Sequence, residues 1–204
     1  MKITTVKEYY DLLVQEGDDP ANDPPALRDY MDNWDGRPFL NALGLSSESG
    51  VLEVGVGTGR LAKRVLEIGC GHFTGIDISP ATLVRAKENL KGWSNVTLIQ
   101  GDFMTCPFRL TFDVVYCSLA LFHFKDKAAF LRKASGLLNA KGRVVLSVPK
   151  EKEKAIAFGS RQVALYPDDL ESLKASLADA GLALKDAFDV TFANVLVAEK
   201  AYVF

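Results

Sequence analysis

Three glycines at alternate positions, Gly55, Gly57 and Gly59, follow Glu53 in the string Glu53-Val-Gly-Val-Gly-Thr-Gly-Arg60. Glycine tolerates positive φ and carries no Cβ, so a ligand can approach such a backbone closely. Two acids stand downstream: Asp77, 18 residues after Gly59, and Asp102 within Gly101-Asp102-Phe103. A carboxylate such as Asp77 has two oxygens with several lone pairs and can accept both hydroxyls of a ribose. Its bland alternative is an acid favoured by a helix dipole, and that of Asp102 is a turn former after a strand. His123 lies in Ser118-Leu-Ala-Leu-Phe-His-Phe124. An imidazole there can act as a general base or simply hydrogen-bond backbone beside a ligand. Glu53 sits in an apolar run, where an unpaired carboxylate is costly, so it requires donors.

The elements that must hold these residues alternate from Gly50 onward. Val51–Val54 reads as a buried strand, and Leu61, Val65, Leu66 and Ile68 continue at helical spacing. His72–Ile78 is a second strand; Ser79 is an N-cap and Pro80 takes the first helical position. Val96–Gln100 and Phe112–Ser118 are further strands, the latter with the continuous apolar run of a parallel strand covered on both faces. A helix over Asp126–Leu138, a strand over Arg143–Val148, a helix over Pro167–Ala180 ended by Gly181, and a hairpin of Leu182–Val190 with Asn194–Lys200 complete the chain. Glu151–Lys154 alternates in charge and is expected to be exposed. This alternation calls for an α/β fold, a doubly wound, mostly parallel sheet with helices on both faces and an antiparallel element at one edge.

The glycine register separates two kinds of nucleotide site. A dinucleotide fingerprint reads G-x-G-x-x-G/A and aims a helix N-terminus at a pyrophosphate. Here the register is G-x-G-x-G, with Arg60 at the place of the third fingerprint glycine. Asp77 does not discriminate, because dehydrogenases place an acid similarly. The string Glu53 to Gly59, with Asp77 and Asp102 at successive strand ends, resembles the class I S-adenosylmethionine-dependent methyltransferases.

That resemblance covers residues 50 to 200 and implies seven strands in the order 3-2-1-4-5-7-6, the last antiparallel. It implies that the glycine loop wraps the methionine part of S-adenosylmethionine, that Asp102 accepts from the adenine amino group, and that Ile78 and Phe103 line the base. Glu53 would meet loop amides or, through water, the cofactor's ammonium. Arg60 would meet the cofactor carboxylate or solvent. Cys117 and Ser118 end the strand whose backbone carbonyl, in the family, holds that ammonium. The segment from Ser118 is similar to the Ser-x-x-Leu-His-His stretch of small-molecule methyltransferases. His123 falls on its second histidine and Phe122 replaces the first. The Asn/Asp-Pro-Pro-Tyr signature of amino-methylating DNA and protein enzymes is absent from Tyr116-Cys-Ser-Leu119, as is the Asp of metal-dependent catechol-type enzymes, so no metal is expected.

Residues 1–49 precede the alternating region and are expected to form a helical cap or substrate lid on a domain spanning 50–204. Tyr9, Tyr10, Tyr30 and Trp34 are its candidate pocket walls, although aromatics at helical spacing are also ordinary core. Residues 1–50 carry 4 Lys/Arg against 10 Asp/Glu, a field that would favour a cationic or amine acceptor. The chain as a whole, 204 residues with net charge −2, shows no nucleic-acid footprint and no membrane span, and its three cysteines have no C-x-x-C spacing. A cytoplasmic monomer or homodimer acting on a small-molecule acceptor is the expectation. An NAD(P)-dependent oxidoreductase is disfavoured by the glycine register and by the lack of a Tyr-x-x-x-Lys pair. A non-catalytic S-adenosylmethionine-binding protein on the same fold remains an alternative.

Overall fold

The computed structural model describes residues 2–201. In chain order its elements are β1 (Lys2–Thr4), α1 (Val6–Gln15), α2 (Pro25–Asp35), α3 (Arg37–Ala42), β2 (Gly50–Val54), α4 (Arg60–Ile68), β3 (His72–Asp77), α5 (Pro80–Asn89), β4 (Val96–Gln100), β5 (Phe112–Ser118), α6 (Lys127–Gly136), β6 (Leu138–Pro149), β7 (Ala155–Phe158), β8 (Arg161–Ala164), α7 (Leu170–Asp179), β9 (Leu182–Asp189) and β10 (Ala193–Lys200). Short 3-10 turns occupy Pro20–Asn22 and Leu121–His123.

Seven strands form the main sheet in the order β4-β3-β2-β5-β6-β10-β9. β2 to β6 are parallel, and β10 runs antiparallel to both β6 and β9. This is the 3-2-1-4-5-7-6 order. The strand period of two distributes each central strand over two cores. Val115 and Cys117 of β5 face Phe130 and Leu131 of α6 and Leu177 of α7 on one side. Val114 and Tyr116 face Phe39 of α3 and Leu61 and Val65 of α4 on the other. Burial on both faces is why these strands read as unbroken apolar runs.

Local caps set the helix starts, and α7 begins at Leu170, three residues after the expected Pro167, while α6 ends at Gly136, before the expected Leu138. The Ser79 hydroxyl accepts from Thr82 N at 3.1 Å at the start of α5, and Asp126 and Asp169 cap α6 and α7 in the same way. β6 is longer than expected. It begins at Leu138, beside Phe112, and passes through Lys141 at φ 65° before regular pairing resumes at Arg143.

The sequence reading has no counterpart for a second, three-stranded sheet in the order β1-β8-β7. β7 and β8 form a hairpin through Gly159 (φ 58°), and β1 joins β8 in parallel register, Ile3 opposite Gln162. The extreme N-terminus is thus tied to the segment after β6, and residues 2–49 are not purely helical.

Candidate active site

The cavity of interest, about 580 Å³, opens at the carboxyl ends of β2, β3, β4 and β5. This is where open α/β sheets bind ligands, because strand order reverses there and the connecting loops part. Glu53, Asp77 and Asp102 all line it, each from the end of a different strand.

The loop after β2 is shaped by its glycines. Gly55 has φ 82°, and a Cβ there would meet that of Ala120 at 2.5 Å. Gly57 has φ 55°, and the space a Cβ would fill is open. Gly59 lies behind the cavity wall, packed on Leu90, and starts α4. Asp77 holds this loop in place: one carboxylate oxygen accepts from Gly57 N and the other from Ser79 N, both at 2.9 Å. Burial raises the Asp77 pKa, and these amides oppose the rise. Ile78 lines the cavity next to it. Asp102 accepts from Met104 N at 2.8 Å and is otherwise exposed, with buried Phe103 beside it.

Glu53 is 4% exposed. One of its oxygens accepts from the Tyr116 hydroxyl at 2.8 Å, so a neighbouring strand supplies the donor that sequence reasoning sought in loop amides. Burial lifts its pKa to about 8, with Tyr116 and Arg60 pulling the other way. Arg60 makes a two-pronged ion pair with Asp35, at 2.8 and 2.5 Å, rather than facing solvent. The burial that would lower its pKa is outweighed by that partner. Asp35 is fully buried at the end of α2 and also accepts from Ser118 Oγ at 2.5 Å. Cys117 packs into the sheet core, where burial pushes its thiol pKa up, and only Ser118 of that pair lines the cavity.

Leu119 follows at φ 53°, a left-handed conformation unusual for a branched side chain and stored at the cavity wall. His123 Nε2 lies 2.9 Å from the Tyr10 hydroxyl of α1. Burial, reinforced by the Lys127 ammonium, lowers the His123 pKa to about 4, so its ring is neutral at neutral pH. Phe122 and Tyr10 line the cavity; Tyr9, Tyr30 and Trp34 do not. Tyr9 is buried between Tyr10 and Arg161. Tyr30 and Trp34 pack with Phe192 in a separate, partly exposed aromatic group at the surface, neither pocket wall nor core.

Part of the acidic excess of the N-terminal region is spent on docking. Asp35 and Asp32 pair with Arg60 and Arg64 of α4. Asp11 of α1 accepts from Ser79 Oγ at 2.6 Å and Ala81 N at 3.2 Å at the start of α5. The charges of Asp35 and Asp32 are thereby offset locally by their arginine partners. Sequence reasoning missed Val6, Met31 and Ile156 as lining residues. Ile156 lies in Ala155-Ile-Ala-Phe158, an apolar stretch too short to register as a strand.

A family model described as a methyltransferase domain matches residues 51–142. An uncharacterized methyltransferase of Anoxybacillus flavithermus is 36% identical over 124 residues, 58% of this chain and 56% of that one. The chain thus spans about half the length of the curated relative it matches there. An uncharacterized methyltransferase of Geobacillus kaustophilus is 30% identical over 201 residues, 92% of this chain and 87% of that protein. The N-methyltransferase NodS from Bradyrhizobium japonicum, solved with S-adenosyl-l-homocysteine, shares the fold, with a TM-score of 0.69 at 18% identity over 95% of this chain and 98% of that one. The chain belongs to the class I, S-adenosylmethionine-dependent methyltransferase family.

Proposed function

We propose that this protein transfers a methyl group from S-adenosylmethionine to a small-molecule acceptor by in-line displacement. The observation that carries the reading is the convergence of Glu53, Asp77 and Asp102 on one cavity, around a loop whose Gly57 leaves room for a ligand against the backbone. The residues present fit the cofactor. Asp77 retains lone pairs for ribose hydroxyls beyond the two amides it accepts. Asp102 is exposed at the adenine end, with Ile78 and Phe103 beside it, and Glu53 has an oxygen without a partner among the described residues for a cationic group. When bound, S-adenosylmethionine supplies a methyl group already activated on a sulfonium. The protein's own task is to orient the acceptor's lone pair and exclude water, an alignment that can supply about 7–11 kcal/mol. In this reading residues 2–49 act as a lid: Val6 and Tyr10 of α1 and Met31 of α2 close the cavity opposite the glycine loop.

Calorimetric titration with S-adenosylmethionine, S-adenosylhomocysteine and NAD tests the assignment. Micromolar binding of the first two, lost in Asp77→Ala, is the expected result. Binding of NAD alone would overturn it.

A further inference from the structure

The part of the cavity beyond the strand ends is lined from four directions: Val6 and Tyr10 of α1, Met31 of α2, Phe122 and Phe124 around the 3-10 turn, and Ile156 of β7. It contains one pair of hydrogen-bonding side chains, Tyr10 and His123, 2.9 Å apart. The charged groups that line the rest of the cavity are engaged elsewhere. Arg60 is paired with Asp35, Asp77 is held by two amides, and Glu53 and Asp102 lie at the strand ends. Lys125 stands exposed at the rim. A cation placed among these apolar walls would lose its hydration and find no opposite charge there, and an anion would find only the exposed Lys125; a charge buried unpaired is heavily penalised.

The Tyr10–His123 pair has a direction. The ring proton is assigned to Nδ1, the nitrogen that the Tyr10 contact leaves free, because the Ala164 backbone is the other hydrogen-bonding group acting on His123. Nε2 is then the acceptor and receives the Tyr10 hydroxyl proton. The Tyr10 oxygen is left with its lone pairs toward the cavity. It can accept a hydrogen bond and has no proton free to donate.

We infer that the methyl acceptor is an uncharged, largely apolar molecule that offers one hydrogen-bond donor, such as a hydroxyl, to the Tyr10 oxygen, with His123 as the positioning residue that fixes the Tyr10 proton. This rests on the proposed cofactor assignment and reverses the preference for a cation suggested by the chain's N-terminal charge.

The test uses the full chain saturated with S-adenosylhomocysteine and a probe series of one shape, titrated calorimetrically: 1-naphthol, 1-methoxynaphthalene, 1-naphthylmethylammonium and 1-naphthoate. Naphthol is expected to bind about tenfold tighter than the methoxy compound, the difference one neutral hydrogen bond makes, and tighter than either ion. Tyr10→Phe is expected to erase the naphthol–methoxy difference while leaving S-adenosylhomocysteine affinity unchanged. Equal or tighter binding of the ammonium or the carboxylate overturns the inference in the wild-type protein alone. So does a hydroxyl preference that survives in Tyr10→Phe, or no binding of naphthol. Failure to bind S-adenosylhomocysteine sinks the cofactor assignment and this inference together, whereas its binding without the naphthol preference sinks only the inference.

Discussion

Glu53 and His123 are two buried ionisable side chains on one cavity, and burial drives both toward neutrality, with opposite consequences for stability. The Glu53 pKa rises from 4.5 to about 8 on folding. Between those values the native chain holds a proton that the unfolded chain has lost. Its contribution is therefore complete below about pH 4.5 and is lost as pH rises through about 8. The His123 pKa falls from 6.5 to about 4. Its contribution is present above pH 6.5 and is lost as pH falls toward 4. The window from pH 6.5 to 8 therefore isolates Glu53. Tyr116 donates to Glu53, Arg60 attracts its charged form, and Asp35 and Asp77 repel it; none of these outweighs burial. Cofactor-free wild-type protein is expected to lose on the order of 2 kcal/mol relative to Glu53→Gln across this window, at about 1.4 kcal/mol per unit. Urea denaturation at several pH values measures it; stability curves that stay parallel would show that Glu53 ionises normally. The need of Glu53 for a partner is legible from its apolar strand. That the partner is Tyr116 is not, because the two are joined only by the pairing of β2 with β5.

The elements most legible in the sequence are those buried on both faces or capped locally. β2 and β5 are contiguous apolar runs, and α5 announces itself by Ser79 and Pro80. β1, β7 and β8 are three or four residues long and half exposed, so they carry too few periods to register. They exist because they find each other across the chain. The same holds for the junction of α2 and α4. Asp35 reads as one acid among many, yet it is the fully buried partner of both Arg60 and Ser118. Removing one partner of such a pair strands a charge and typically costs about 3–5 kcal/mol. Asp35→Asn is therefore expected to lower the thermal midpoint by roughly 6–20 °C, taking about 2–4 °C per kcal/mol for a domain of this size. It is also expected to weaken cofactor binding, since Arg60 begins the helix that follows the glycine loop. A midpoint within a degree of wild type would mean that the pair contributes only as a surface contact does.

At the scale of the whole molecule, the cavity is roofed by two segments about 140 residues apart in sequence: α1, which supplies Val6 and Tyr10, and the β7–β8 hairpin, which supplies Ile156. Three contacts join them. β1 pairs with β8, Arg161 forms a two-pronged ion pair with Glu16 at the end of α1, and the Arg161 guanidinium lies 6.0 Å from the centre of the Tyr9 ring. α1 is fastened to the cofactor side by Asp11 on Ser79, and the hairpin by Tyr166 N donating to Phe122 O at 2.7 Å. Parting the two halves of such a roof would expose the unpaired edge of β8, so any opening is expected to move them together. The Glu16–Arg161 pair is partly exposed, so it contributes to stability modestly but bears on this junction directly. Glu16→Arg is expected to speed hydrogen exchange in β1 and β8 and to raise the acceptor KM severalfold, leaving S-adenosylhomocysteine affinity unchanged. The double reversal Glu16→Arg with Arg161→Glu restores the opposite charges and is expected to recover both. Exchange in β8 that is indifferent to the single reversal would show that the strand pairing alone holds the roof. A loss of S-adenosylhomocysteine affinity in the single variant would instead place the junction within the cofactor site.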